Sequence, residues 1–188
     1  MENRTHGVVA NESGQARPVR LPVTYFAFLL MVIALAVAAG VARAGDLHLL
    51  VNGKAIHLDH KPNVHYNESN RGAGFQYDFE KSESRWVPFI TASEFSDSNR
   101  NPSYYAGGGW LKRRDFSIGD TQLHADIGVV GFLMTRKGFK NDKPFPGVLP
   151  AFSIGRERVA VNVTYIPPVD PKLVPILFFQ LKLKLSEF

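Results

Sequence analysis

The feature that most constrains this chain is an alternation of apolar and polar residues that recurs in several separate segments. It is clearest in GFQYDFE (74–80), RVAVNVTY (158–165) and FQLKLKL (179–185). Successive side chains of a β-strand point to opposite sides of the sheet, so this period of two predicts strands with two unlike faces. From Gly45 to Phe188 no segment has a convincing helical period. The sequence therefore predicts an all-β fold.

About eight strand segments can be counted, separated by turn-forming clusters rich in Gly, Pro, Asn and Asp. They lie near 47–57, 72–80, 85–95, 103–113, 121–134, 147–156, 158–166 and 174–185. Two architectures fit this pattern: a soluble β-barrel or sandwich, and an outer-membrane barrel. An even number of alternating strands of roughly ten residues, behind an export signal, favours an eight-stranded antiparallel up-and-down transmembrane β-barrel. The terminal aromatic Phe188 is a further, weaker indication.

The export signal is predicted at the start of the chain. A polar start that contains Arg17 and Arg20 is followed by an uncharged apolar stretch at 21–42 and by the small-x-small tripeptide ARA. This order is typical of a secretory signal peptide, and the apolar stretch is also long enough to anchor the chain in a bilayer. We expect a signal peptide over 1–44 and a barrel domain over 45–188.

Composition excludes several classes of function. The chain has no cysteine, which excludes disulfides and thiolate metal sites. It carries 22 Lys and Arg against 17 Asp and Glu, but the basic residues are scattered along an exported chain. Nucleic acid is therefore not an expected partner.

Topology brings candidate catalytic residues to one end of the predicted barrel. Alternate loops of an up-and-down barrel lie at the same rim, so His57 and His60 after the first strand meet Asp97 and Ser98 after the third. If both chain ends are periplasmic, this is the outer rim. An imidazole that takes a hydroxyl proton beside a carboxylate can perform acyl transfer. An Asp–Ser pair also commonly caps an ordinary turn, so the residues alone leave both interpretations open.

Four stretches extend this argument through a family resemblance. They are YNESNRGAGF (66–75), FSDSNRNPSYYAGGGW (95–110), PGVLPAFSIG (146–155) and TYIP (164–167). In this order and spacing, the chain from about residue 55 to its end resembles the outer-membrane lipid A palmitoyltransferases, the PagP family. The resemblance implies an eight-stranded barrel that moves a palmitoyl chain from the sn-1 position of a glycerophospholipid to a hydroxyacyl chain of lipid A.

The resemblance also implies roles for particular residues. The family's catalytic Asp and Ser fall on Asp97 and Ser98, and its catalytic His most resembles His57, with His60 as the alternative. The glycine that sets the floor of the family's acyl-chain pocket falls on Gly109. Glycines also relieve crowding in small, strongly curved barrels, which is the alternative interpretation of that position.

Prolines in a barrel wall weaken strand pairing because proline lacks the backbone N–H. Pro150 and Pro167 match the family's prolines between strands six and seven, which implies lateral lipid access there. At the second access point of the family, Asn70 stands where a proline is expected and the first strand has none. The amphipathic helix that precedes the first strand in the family is also absent after residue 44.

The same resemblance implies the partners. We expect no cofactor and no metal, lipid A or lipopolysaccharide as acceptor, a glycerophospholipid as donor, and a monomer in the cell outer membrane. Basic residues in the outer loops, such as Arg136 and Lys140, could attract lipid A phosphates. Two alternatives stay open: a lipid A deacylase, whose expected His-x-Ser-Asn motif is not seen, and a non-enzymatic lipid-binding or structural outer-membrane barrel.

Overall fold

The computed structural model describes residues 44–59, 66–168 and 174–188. Within these ranges the chain forms eight β-strands and one short 3-10 turn at Lys140–Asp142. The strands are β1 (Gly45–His57), β2 (Ser69–Phe79), β3 (Trp86–Ser96), β4 (Pro102–Ile118), β5 (Thr121–Thr135), β6 (Phe145–Gly155), β7 (Val159–Ile166) and β8 (Ile176–Glu187). Each of the eight predicted strands is present.

The strands close into a single antiparallel barrel in chain order. Each strand pairs with the next, and β8 pairs with β1 from Asp46 opposite Glu187 to His57 opposite Ile176. At the end where the chain enters and leaves, Gly45 and Phe188 exchange backbone hydrogen bonds. Closure pairs the first strand with the last, so the sheet of described strands has no free edge strand.

The distribution of polar and apolar side chains decides between the two predicted architectures. Inside the barrel the buried side chains are largely polar, among them His48, Asn52, Gln76, Asp78, Thr91, Ser93, His124, Asp126, Gln180 and Lys182. Outside, the exposed side chains include Phe75, Trp110, Ile127, Val129, Leu133, Phe152, Val161 and Leu181. A polar interior within an apolar outer band is the arrangement of outer-membrane barrels, not of soluble ones. The predicted transmembrane barrel is thereby confirmed.

The predicted signal peptide lies outside the described residues, except for its last residue, Ala44. Among the described residues, no helix has both the length and the apolar character needed to cross a membrane.

Buried charges fill the end of the barrel at which Gly45 and Phe188 meet. The Lys182 ammonium donates a hydrogen bond to the Asp78 carboxylate, and His48 Nε2 lies 3.3 Å from the same carboxylate. Arg113 binds Asp126 through two nitrogens, each 2.9 Å from a carboxylate oxygen. Each of these charges has a partner, as buried charges require.

An apolar layer lies above these charges. It consists of the buried side chains Val87, Phe89, Leu111, Val130 and Ala151. Four of them, all except Val87, also line a cavity that continues towards the opposite rim. The barrel is therefore closed by ion pairs at one end and hollow towards the other.

Candidate active site

The hollow end of the barrel is the rim formed by four connections, at 58–68, 97–101, 136–144 and 167–175. Of the connections at the other end, 80–85, 119–120 and 156–158, the last two are shorter than any of these four. The predicted catalytic residues lie at this rim because β1 ends there at His57 and β3 ends there just before Asp97. His60 lies outside the described residues.

His57 and Ser98 are side by side although 41 positions separate them in the chain. His57 Nε2 lies 3.1 Å from Ser98 Oγ, and the two residues are only 3% and 9% exposed. The Tyr66 ring stacks on the imidazole, with ring centres 4.2 Å apart and planes 13° from parallel. A hydroxyl within hydrogen-bond reach of an imidazole whose plane is held by packing is the arrangement of a nucleophile and its base.

The Asp97 carboxylate binds its own turn and Arg136. Its Oδ1 accepts hydrogen bonds from the backbone N–H groups of Asn99 and Asn101, at 2.8 and 2.9 Å. Its Oδ2 accepts one from Arg136 Nε at 3.1 Å. The Arg100 N–H closes the turn on the Asp97 carbonyl, with Arg100 at a φ of 62°. The carboxylate thus organises the turn that carries Ser98, which is the turn chemistry that the sequence also allowed.

A second set of bonds ties this turn to the segment before β2. The Asn67 backbone N–H donates to the Ser98 carbonyl at 2.9 Å, and its side-chain amide donates to the Asp97 carbonyl at 3.0 Å. Glu68 follows, with Oε1 3.8 Å from His57 Nδ1. Residues 66–68 therefore contact both members of the His57–Ser98 pair.

Ser98, the serine of this pair, lies at the mouth of the cavity in the hollow end. The cavity has a volume of about 120 Å³, several times the roughly 10–15 Å³ that one water molecule needs. Asp97, Ser98 and Arg136 line its mouth, and its walls are mainly apolar. The apolar lining residues include Phe89, Phe95, Leu111, Val130, Phe132, Met134, Leu149, Ile166, Ile176 and Phe178. Such a space accommodates an apolar chain, with the polar mouth at one end.

Gly109 lies in β4 at the depth of the cavity's closed end. Its register partners, Phe89 on β3 and Val130 on β5, both line the cavity, whereas Gly109 itself is buried in the wall between them. A Cβ added at Gly109 would lie 1.9 Å from the Val129 carbonyl oxygen. The glycine therefore permits a close approach of β4 and β5, which agrees with the alternative interpretation of strong curvature and leaves its pocket role as a prediction.

The wall has an incomplete seam beside Pro150. β6 pairs with β5 from Phe145 onward, but in the described part of the chain its pairing with β7 begins only at Ala151, opposite Thr164. Pro150 is the residue at which this pairing stops, and Pro167 follows directly after the end of β7. Leu149, Phe152, Thr164 and Ile166, which flank the seam, line the cavity.

The seam between β2 and β3 is built differently. Their backbone register begins only at Gly74, opposite Ser93. Towards the rim, side-chain amides replace the missing bonds: Asn70 donates to the Ser96 carbonyl at 2.7 Å, and Asn52 donates to the Glu94 carbonyl. Asn70, which stands where the family has a proline, therefore joins β2 to β3 through its side-chain amide.

Sequence reasoning missed three contributors to this site. It assigned no role to Tyr66, Asn67 or Glu68, although these residues form one of the motifs that carry the family resemblance. It named Arg136 only as one of several basic loop residues. The missing information was the register of β1 and β2, because a bulge between Asn52 and Lys54 sets which loop residues reach His57.

Comparison with known proteins agrees with the motifs. The chain matches, over residues 38–180, the family model described as antimicrobial peptide resistance and lipid A acylation protein PagP. A protein called lipid A acyltransferase PagP from Methylobacillus flagellatus is 29% identical over 104 residues, 54% of this chain and 53% of the relative. A Bordetella pertussis protein of the same name is 32% identical over 102 residues, 54% of each chain. The chain spans about half the length of these curated relatives.

One solved structure, the Yersinia pestis outer membrane protein Ail in a phospholipid bilayer nanodisc, is similar at a TM-score of 0.37 and 8% identity. The likeness covers 75% of this chain and 99% of that one, and it carries no argument about function.

Proposed function

The chain belongs to the PagP family of lipid A acylation proteins, and we propose that it is an outer-membrane acyltransferase with lipid A as its acceptor. The family resemblance inferred from the sequence motifs is confirmed by the family match. The proposed reaction moves a palmitoyl chain from the sn-1 position of a glycerophospholipid to a hydroxyacyl chain of lipid A. The observation that carries this proposal is the buried His57–Ser98 pair, whose Ser98 lines an apolar cavity.

In this reaction one ester is exchanged for another. The acceptor hydroxyl oxygen forms a bond to the palmitoyl carbonyl carbon, and the bond between that carbon and the sn-1 glycerol oxygen of the donor breaks. His57 Nε2 accepts the proton released on attack and returns it to the departing glycerol oxygen, so protons balance. Ser98 acts either as the nucleophile that carries the acyl group between the two alcohols or as the hydroxyl that orients the acceptor.

Asp97 and Arg136 have a supporting role in this proposal. The Asp97 carboxylate holds the turn that presents Ser98 to His57. Arg136, whose Nε forms a salt bridge with this carboxylate, lines the cavity. A guanidinium is well suited to phosphate, because its donors form a fixed fork. Arg136 is therefore our choice among the basic loop residues for contact with a lipid phosphate.

The cavity is proposed to hold the palmitoyl chain, with Gly109 at the depth of its floor. The ester end would then lie beside Ser98, and the methyl end beside Phe89, Leu111 and Val130. Pro150 and Pro167 are proposed to mark the lateral access, supported by the incomplete β6–β7 pairing and the cavity-lining residues on both sides of it. Access from the side suits donors and acceptors that both reside in the membrane. The protein is proposed to act as a monomer in the outer membrane, without a cofactor.

The proposal is tested with purified protein in detergent, a glycerophospholipid with a labelled palmitoyl group at sn-1, and lipid A as acceptor. The wild type should move the label to lipid A, and Ser98→Ala should reduce the rate about a hundredfold or more. Ser84→Ala, in a turn at the opposite end of the barrel, is the matched control and should retain the wild-type rate. Label in free fatty acid instead of lipid A, or equal rates for wild type and Ser98→Ala, would overturn the proposal.

A further inference from the structure

The imidazole of His57 lies between a hydroxyl and a carboxylate. Its Nε2 is 3.1 Å from Ser98 Oγ, and its Nδ1 is 3.8 Å from Glu68 Oε1. The Glu68 side chain is held in place from its own side of the site, because Oε2 lies 3.4 Å from the Lys54 ammonium and the Glu68 carbonyl accepts the Ala55 N–H at 2.9 Å. The carboxylate is thus anchored beside the Nδ1 edge of the imidazole, and Ser98 lies beside the Nε2 edge.

The family motif suggests Asp97 as the carboxylate that would orient His57, but Asp97 binds other groups. Its two oxygens accept three hydrogen bonds, from the backbone of Asn99 and Asn101 and from Arg136. A carboxylate with this many donors is satisfied where it is, and turning it towards His57 would break the turn that holds Ser98. Glu68 is better placed than Asp97 to orient the imidazole, because its carboxylate already faces His57 Nδ1.

The charge on Glu68 is available at neutral pH. Desolvation acts against ionisation, but a hydrogen bond from the His57 backbone and the neighbouring Lys54 outweigh it, so the pKa of the Glu68 carboxyl lies below its usual value. The His57 side chain is 1% exposed, against 34% for that of Glu68. A proton taken up on a buried imidazole needs a nearby negative charge, because water cannot solvate the cation.

We propose that Glu68 is a positioning residue for the acyl transfer. Its carboxylate holds the proton of the neutral imidazole on Nδ1, which leaves the Nε2 lone pair facing Ser98, and it stabilises the imidazolium that forms when Nε2 takes up the proton. Hydrogen bonds of this kind are often longer in the free protein than during reaction, so 3.8 Å suits a contact that tightens with substrate bound. Tyr66, stacked on the same ring, fixes its plane. The inference rests on the proposed function only for its kinetic consequence.

The first test is kinetic. Glu68→Gln keeps the shape of the side chain and removes its charge, and it should lower the palmitoyl transfer rate on the order of tenfold. Glu94→Gln makes the same change on an exposed side chain of the neighbouring wall, and it should leave the rate unchanged. Folding of each variant is checked by the heat-dependent migration of the barrel in detergent gels.

The second test does not depend on activity. The imidazole ¹⁵N chemical shifts of histidine-labelled protein in micelles report which ring nitrogen carries the proton. The His57 signals are assigned by their loss in His57→Gln. The wild type should show the proton on Nδ1, and Glu68→Gln should shift the ring towards a mixture of the two tautomers.

The two tests separate the inference from the proposed function. If the wild type has no transfer activity, the proposed reaction is refuted. If the His57 tautomer nevertheless changes in Glu68→Gln, the orienting role of Glu68 is supported. An unchanged tautomer in folded Glu68→Gln overturns that role at any rate of transfer. A wild-type rate in Glu68→Gln, where Ser98→Ala is inactive, overturns the contribution of Glu68 to the reaction.

Discussion

A methyl group added to Gly109 tests the geometry of the cavity floor. In Gly109→Ala the new Cβ would lie 1.9 Å from the Val129 carbonyl oxygen and 3.0 Å from Val130 Cα, where real Cβ contacts essentially never fall below 3.0 Å. β4 and β5 must therefore separate by about 1 Å, and overpacking of this kind costs about 1–3 kcal/mol. Because Val130 and Phe89 line the cavity on either side of Gly109, the displacement also changes the floor.

The preferred acyl chain should become shorter in Gly109→Ala. Each methylene that no longer fits loses about 0.8 kcal/mol of burial, or about fourfold in rate. Met at the same position should shorten the preferred chain further.

Gly131→Ala is the matched control for this prediction. Gly131 lies on β5 opposite Gly108, and a Cβ there would meet its nearest atom at 3.8 Å, an ordinary contact. This variant should change the free energy of unfolding by less than about 1 kcal/mol, in either direction. Stability is measured by guanidinium unfolding of the barrel in micelles, and chain preference by competition between acyl donors of different length. Equal stability of the two variants, or a wild-type chain preference in Gly109→Ala, would refute the reasoning.

Two further predictions concern the seam and the closed end. The double variant Pro150→Ala, Pro167→Ala should slow palmitoyl transfer several-fold without changing the preferred chain length, because the restored backbone N–H donors favour closure of the β6–β7 seam. Transfer assays with donors of different acyl length check this. An unchanged rate would count against lateral access. Asp126→Ala leaves Arg113 without its partner and should lower the free energy of unfolding by about 3–5 kcal/mol; a guanidinium titration measures it, and a loss below about 1 kcal/mol would show that water already reaches the pair.

The strands could be predicted because the barrel wall imposes a period of two over its whole length. The sequence pattern places the end of β4 too early, near residue 113, because polar residues such as Arg114 and Asp115 interrupt the alternation there. The structure continues β4 to Ile118, since pairing with β5 persists down to the two-residue turn at Gly119 and Asp120. Backbone pairing, unlike hydrophobic patterning, does not require an apolar side chain.

The site was predictable only as far as topology reaches. Strand order places His57 and Ser98 at one rim, but the distance between their side chains depends on register and on bulges in β1. The same dependence hid Glu68, which lies eleven positions after His57 across a loop and beside it in space. The salt bridge of Asp97 with Arg136 joins two different loops, and no local pattern in either loop indicates it.

The most direct test of the account is mass spectrometry of lipid A from cells that lack their own palmitoyltransferase, with and without this protein. The account predicts a lipid A species heavier by one palmitoyl group, which disappears with a folded Ser98→Ala variant. Unchanged lipid A, with the wild-type barrel folded in the outer membrane, would contradict the central claim and favour a binding or structural barrel. Lighter lipid A would contradict it in favour of a deacylase.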